Sequence, residues 1–230
     1  MPDPAPNPEL LRSLGRLVRG LSTIFWGLPC SLIVCFYTAR SEGFIALGAI
    51  PPLICTGALV YGLHHLAAFQ PREQAWRAAL DRATLIGLVN FGLSPFLHWS
   101  GRMPGNLFFL AMVMALTVGA ILFLGSLNQV LHRLGALLPD EGLRLEVRQF
   151  TGINLQLLRT LMLLAAAFLV LAQVRGAGPF VARVMELLDR SALWFYVPLI
   201  PLVLLPLALT MAMLWKIKEI ILESIFGGRA

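Results

Sequence analysis

The sequence GNLFFLAMVMALTVGAILFLGSLNQVL, from Gly105 to Leu131, decides the fold class of this chain. It contains no Asp, Glu, Lys or Arg, and Arg102 and Arg133 flank it. An α-helix rises about 1.5 Å per residue, so roughly 20 apolar residues cross a hydrocarbon core of about 30 Å. The stretch exceeds that length, which predicts a transmembrane helix.

Small residues recur on one side of this helix. Ala111, Ala115 and Gly119 follow each other at intervals of four residues. Such a stripe lets the backbone of a second helix come close, which is how many membrane helices associate. The stripe therefore predicts packing against other membrane subunits or against a second copy of the chain.

The composition of the whole chain agrees with a membrane class. Hydrophobic residues make up 58% and charged residues 13% of its 230 residues, whereas soluble domains have roughly 45–50% and about 25%. The excess apolar surface needs a lipid bilayer to cover it. The fold class is therefore predicted to be all-α, a polytopic membrane protein with a bundle of six transmembrane helices and additional interfacial amphipathic helices.

The hydrophobic runs divide the chain into a tail and one domain. Residues 1–8 carry alternating prolines and are predicted to be a disordered tail, and residues 9–230 form a single six-helix transmembrane domain. Asn7 is the expected N-cap of the first helix, with Pro8 at its first position. The six predicted spans cover about 20–39, 44–69, 83–99, 105–131, 151–174 and 191–215.

Amphipathic segments precede or follow several of these spans. Before the first span, leucines recur at helical spacing while Arg12, Arg16 and Arg19 fall on the opposite face. A basic amphipathic helix of this kind suits an anionic lipid surface, and its continuation into a span argues against nucleic acid as a partner. Further surface helices are predicted after Pro71, near Leu143 and at Phe180–Asp189.

The distribution of basic residues predicts the orientation. Basic residues concentrate in the segments that would lie on the side of the N-terminus: Arg12, Arg16, Arg19, Arg72, Arg77, Arg82, Arg133, Arg144, Arg148, Lys216, Lys218 and Arg229. Cytoplasmic loops of membrane proteins carry such an excess. We therefore expect a multi-pass protein of the cell (inner) membrane, with both termini in the cytoplasm.

A set of polar residues inside or near the spans forms the candidate site. Intramembrane polar side chains usually face the bundle interior or a wet cavity. The favoured interpretation is that Arg159 snorkels to the headgroups while the amides bridge helices. The functional alternative is a cytoplasm-facing polar pocket for an anion or a lipid headgroup. The residues of this predicted pocket are Arg159, Asn90, Asn128, Gln129, Gln156, His64 and His65.

Cofactor and metal signatures are sparse. A haem held by His64 or His65 together with His132 is a remote alternative, since bis-imidazole ligation needs little more than facing helices. The three cysteines lie in apolar runs without a C-x-x-C spacing, so no metal site and no disulfide framework is expected.

Three classes of function compete for such a chain. An enzyme needs a nucleophile, an acid–base pair or a metal in mutual reach, and the sequence supplies none at recognisable spacing. A proton- or sodium-coupled transporter commonly uses intramembrane carboxylates, and no Asp or Glu lies inside a predicted span. The favoured hypothesis is a non-catalytic accessory or scaffold subunit of a membrane complex. The alternative is a small-solute or lipid transporter or channel with a cytoplasm-facing polar pocket.

Overall fold

The structure is a computed structural model that describes residues 8–40, 47–69, 73–103, 105–137, 141–173 and 192–226. These residues are helical apart from short turns, and no strand occurs among them. Their helices are α1 (Pro8–Arg40), α2 (Ile50–Ala67), α3 (Gln74–Leu93), α4 (Phe96–Arg102), α5 (Leu107–Leu137), α6 (Glu141–Gln173) and α7 (Ala192–Phe226).

Prolines set several of the helix boundaries. Pro8 begins α1, and a proline pair occupies the first turn of α2, where a missing N–H breaks no helical hydrogen bond. Pro95 separates α3 from α4 because it cannot donate to the carbonyl of Phe91. The Ser94 hydroxyl donates to that Phe91 carbonyl instead, at 2.9 Å, and the Thr56 hydroxyl donates to Ser94 Oγ at 3.3 Å.

The long helices pack in a closed circuit. Helix α1 packs on α2, α2 on α3, α3 on α5, α5 on α6, and α6 on α7, which returns to α1. Helices α5 and α7 also touch across the bundle, and the short α4 rests on α1 and α5.

The bundle is packed most tightly at one end, which we call the basic end because Arg16, Arg133 and Lys216 lie there. Five helices contribute fully buried side chains to this core: Leu17, Leu63, Trp76, Leu127, Leu131, Leu134 and Ile217. At the opposite end, which we call the far end, large apolar side chains are exposed on most helices. The chain's own packing is thus concentrated in one half of the bundle.

A close crossing of α1 and α2 belongs to this packed half. A Cβ atom added to Gly20 would lie 2.8 Å from the Gly62 carbonyl oxygen and 2.3 Å from Leu66 Cδ1. A Cβ atom added to Gly62 would lie 2.6 Å from Ile24 Cγ1. Only hydrogen fits at the two positions, so the backbones come nearer here than side chains would permit.

Amphipathic segments expected as separate surface helices are continuous with the long helices. The segment with Arg12, Arg16 and Arg19 is the first part of α1, and its Leu17 and Leu21 are buried in the bundle core while the three arginines are exposed. No proline or glycine pair interrupts the chain between the two predicted parts, so the helix continues. Whether the arginines bind anionic lipid remains a prediction.

The same continuity holds for α3 and α6. Helix α3 begins at Gln74 and joins the segment predicted as a surface helix to the third predicted span. Helix α6 begins at Glu141 and runs without a break through the fifth span. The tail at 1–7, with Asn7, and the predicted surface helix Phe180–Asp189 lie outside the described residues.

Five of the described helices contain segments long and apolar enough to cross a membrane: Arg12–Arg40, Ile50–Ala67, Leu107–Leu137, Arg144–Ala167 and Ile200–Glu223. An all-helical chain with five such helices is typical of a multi-pass membrane protein. The coarse fold prediction is confirmed by this result.

Candidate functional site

A buried cluster of amides joins three helices near the middle of the bundle. Asn128 of α5, Asn154 of α6 and Thr210 of α7 are each 0% exposed. Thr210 lies six residues before Lys216, so the cluster lies about 9 Å from Lys216 along the axis of α7. We call these three side chains, together with the Pro206 carbonyl, the amide network.

Side-chain hydrogen bonds connect every member of the amide network. Asn154 Nδ2 lies 2.9 Å from Asn128 Oδ1, 2.9 Å from Thr210 Oγ1 and 3.1 Å from the Pro206 carbonyl oxygen. Asn128 Nδ2 donates to Thr210 Oγ1 at 3.0 Å and to the Leu124 carbonyl at 2.7 Å. The Thr210 hydroxyl donates to the Pro206 carbonyl at 2.7 Å. Each donor thus has an acceptor without any help from lipid or water.

The surrounding carbonyls fix the orientation of both amides. A carbonyl oxygen only accepts, so the amide nitrogen of Asn128 must face Leu124 and that of Asn154 must face Pro206. This arrangement leaves Asn154 Oδ1 buried without a hydrogen-bond partner among the described residues. A buried unpaired acceptor is unfavourable by roughly 1–3 kcal/mol, so the network is not saturated.

Another amide is buried where α3 packs on α5. Asn90 is 7% exposed, and its Oδ1 has no hydrogen-bond partner within the described part of the chain. A Cβ atom added to Gly119 would lie 2.1 Å from this oxygen, so the side chain of Asn90 lies directly against the backbone of α5. Gly119 lies nine residues from Asn128, so the two sites are about 13 Å apart along α5.

The structure does not bring the residues of the predicted polar pocket together. Asn128 belongs to the amide network, and Asn90 lies at the separate contact with Gly119. His65 is half-buried with its ring 4.4 Å from that of Tyr61. The remaining members of the predicted set point away from the bundle interior: His64, Gln129, Gln156 and Arg159.

Helical periodicity would have identified Asn154 as a buried residue of α6. Val147, Thr151, Asn154 and Leu158 follow each other at intervals of four, three and four residues, and all four are buried. Gln156 lies outside this buried stripe. The polar member of α6 that shares a face with Val147 and Leu158 is therefore the one inside the bundle.

The small-residue stripe of α5 is partly used within the chain. Gly119 is buried against Asn90, whereas Ala111 and Ala115 are exposed. Self-association through this stripe remains a prediction. Its glycine is already in contact with a side chain of α3.

The amide network can hold helices together, and its members are two amides, a hydroxyl and a carbonyl, none of which is a general acid or base. Among the described residues, no group of three or more His, Cys, Asp or Glu side chains is placed to hold a metal ion. His132 is half-buried in α5, and haem ligation by it with His64 or His65 remains an untested alternative.

The fold and the site together define a class: an all-helical, multi-pass membrane protein whose bundle contains a buried amide network. No protein-family model matches this chain, and no curated protein or solved structure is significantly similar to it.

Proposed function

We propose that this chain is an accessory or scaffold subunit of a membrane complex, which binds partner helices and carries out no chemistry of its own. The observation that carries the proposal is the exposure of α6 and α7 beyond the amide network. Residues 159–167 of α6 and 200–205 of α7, the far segments, contain no buried side chain. Both segments belong to candidate membrane spans, and the described part of the chain covers their side chains only in part.

Large apolar side chains are exposed along the far segments. Ile200, Leu204 and Leu205 of α7 are 58%, 46% and 46% exposed, and Leu163 of α6 is 71% exposed. In a bilayer, the association of helices comes from packing and from interhelical hydrogen bonds rather than from leaving water. The far segments offer such packing surface to a partner, while the amide network holds their other halves in place.

We place this subunit in the cell (inner) membrane with six crossings and both termini in the cytoplasm. Helix α3 supplies the sixth crossing, because its Asn90 lies against Gly119 in the interior of the α5 span. Reporter fusions test this topology. Alkaline phosphatase should be active when fused after Arg102 and inactive after Arg77, and activity after Arg77 would contradict the model.

A small-solute transporter or channel is the second candidate, and one observation favours it. Asn154 Oδ1 is buried without a hydrogen-bond partner among the described residues, and transporter binding sites use polar groups near the membrane midplane. The other atoms of the network are occupied by the chain itself, which favours the scaffold proposal.

Photo-crosslinking in native membranes tests the scaffold proposal. A photoreactive phenylalanine analogue at Leu204, in the far segment of α7, should capture a discrete protein different from this chain. The matched control is the same analogue at Leu88 of α3, which is 50% exposed and lies on the opposite part of the bundle. Equal capture at Leu204 and Leu88, or capture of lipid alone, would contradict the proposal.

Reconstitution separates the two candidates. The purified chain in liposomes should give no saturable solute flux. Flux that Asn154→Leu abolishes would replace the scaffold proposal with the transport alternative.

A further inference from the structure

A polar stripe runs along the exposed face of α6. Its members follow each other at intervals of four and three residues, which keeps them on one side of a helix with 3.6 residues per turn. Every member is exposed in the structure. The stripe, which we call the α6 seam, consists of Leu145, Gln149, Gly152, Gln156, Thr160 and Leu163.

The α6 seam lies at membrane depth. Glu146 of α6 accepts a hydrogen bond from Lys216 of α7, and this partly exposed ion pair marks the basic end of the two helices. Gln156 follows Glu146 by ten residues, so its Cα lies about 15 Å farther along the axis, near the middle of a bilayer core. A glutamine amide exposed at that depth would face hydrocarbon, where it finds no hydrogen-bond partner.

The surface of the seam has the shape of a helix-packing site. A Cβ atom added to Gly152 would meet no atom within 4 Å, so no described part of the chain fills the space above it. The glycine lies in a shallow, open depression on the surface of α6, bordered by Leu145, Arg148, Gln149, Ile153 and Gln156. A glycine between larger side chains allows another helix to approach closely in a membrane.

We infer that a second copy of this chain packs on the α6 seam and forms a twofold-symmetric dimer through parallel α6 helices. All copies are inserted with the same orientation, so the symmetry axis is perpendicular to the membrane and each residue of the seam meets its own counterpart. Gln149 and Gln156 then pair with the same residues of the partner. A carboxamide both donates and accepts, which makes these pairs self-complementary.

The charged residues of α6 are compatible with this symmetry. Arg159 is exposed and lies about 60° around the helix from Gln156, at one edge of the seam. A twofold axis through the seam places the two Arg159 side chains at opposite edges, so the guanidinium groups do not face each other. A helix of another protein would instead have to carry polar side chains at the depths of both glutamines.

The α5 stripe is the competing interface. Its Gly119 is covered by Asn90, so a second helix cannot reach the glycine that would permit close approach. A Cβ atom added to Gly152 in the α6 seam, by contrast, meets no atom within 4 Å. The inference holds whether or not the scaffold proposal is correct. Because Thr160 and Leu163 of the seam lie in the far segment of α6, a second copy on the seam leaves the far segment of α7 as the surface for a different partner.

Disulfide crosslinking in liposomes locates the contact. In a variant without the native Cys30, Cys35 and Cys55, Leu163→Cys should form a covalent dimer rapidly under mild oxidation. Leu122→Cys of α5, which is also exposed, is the matched control and should stay monomeric. Crosslinking at Ala115→Cys in preference to Leu163→Cys would overturn the inference in favour of the α5 stripe.

A second measurement separates loss of the dimer from loss of the fold. Gly152→Leu should raise the dissociation constant of the dimer in lipid at least tenfold without changing unfolding of the monomer, because the position is open within the chain. Gly92→Leu, at another open glycine on α3, should leave the dissociation constant unchanged. Gln156→Leu should weaken the dimer roughly threefold to tenfold. A wild-type chain that stays monomeric at all protein-to-lipid ratios, or equal effects of the two glycine variants, would overturn the inference.

Discussion

The two halves of α6 differ in how far the rest of the chain buries them. Between Val147 and Leu158, one face of α6 is buried against α5 and α7 and contributes Asn154 to the amide network. Between Arg159 and Ala167, no side chain is buried, although the sequence remains apolar. Sequence hydrophobicity therefore does not separate the half that packs within the chain from the half that is left for lipid or for partners.

The same division runs through the whole bundle. At the basic end, five helices enclose leucines that are 0% exposed, whereas at the far end Leu107 of α5 is 79% exposed. Lipid tails are as apolar as leucine side chains, so a membrane helix gains specificity from close backbone approach and from polar contacts. Close backbone approach comes from Gly20 and Gly62, and polar contacts come from the amide network. Both lie in the half of the bundle nearer the basic end.

The glycine crossing of α1 and α2 should give the largest effect. Gly20→Ala places a methyl group 2.8 Å from the Gly62 carbonyl oxygen, so the two backbones must separate. Overpacking of this kind is unfavourable by typically 1–3 kcal/mol, and we expect a loss of about 3 kcal/mol in the free energy of unfolding. Denaturation in mixed micelles, followed by circular dichroism, measures it.

Two open glycines serve as controls for this change. Gly92→Ala in the far half of α3 and Gly15→Ala in α1 introduce a methyl group with no atom within 4 Å. Both should be neutral or stabilising by up to about 1 kcal/mol, since alanine favours helix. If Gly20→Ala behaves like Gly92→Ala, the basic end is not the more tightly packed half.

Part of this architecture could be predicted from the sequence. Long runs without charge identified the membrane class, and the apolar spacing of the segment with Arg12 and Arg16 separated exposed from buried positions. The periodicity of apolar residues extends over a few helical turns, so it identifies which face of a helix is apolar. It did not show that Leu17 would pack into the bundle rather than on a lipid surface, because both environments favour the same leucine.

The candidate site shows more clearly what could not be predicted from the sequence. The sequence assigned Asn90 and Asn128 to one polar pocket, but Asn90 lies against Gly119 of α5, whereas Asn128 contacts Asn154 and Thr210. Asn154 and Gln156 are both polar residues of the same span, and only the neighbours of α6 decide which one is enclosed. Those neighbours, α5 and α7, are distant in sequence.

The second prediction compares the two buried asparagines. Asn154→Leu keeps the side-chain size but removes the donor to Asn128 Oδ1 and to the Pro206 carbonyl. Interhelical polar contacts in membranes contribute about 0.6 kcal/mol on average and up to about 1.7 kcal/mol. Since this residue connects three helices, we expect a loss near the upper value, about 1.5 kcal/mol, in the same unfolding assay.

Asn90→Leu is the matched control at the contact with Gly119. Asn90 Oδ1 already lacks a partner among the described residues, so an apolar side chain of similar size should leave stability unchanged or raise it slightly. Equal destabilisation by the two substitutions would show that the amide network contributes no more than the isolated amide.

The ion pair between Lys216 and Glu146 should give the smallest effect. It joins α7 to α6 at the basic end, and the two side chains are 44% and 36% exposed. Solvent screens such a pair, and exposed pairs contribute about 0.2–1 kcal/mol. A double-mutant cycle with Lys216→Met and Glu146→Gln should give a coupling of about 0.5 kcal/mol that decreases with added salt. A coupling larger than that of the amide network would mean that electrostatics at the membrane surface, rather than buried amides, holds α6 against α7. A coupling of zero would leave the amide network as the main polar link between the two helices, and Asn154→Leu should then separate them before the rest of the bundle unfolds.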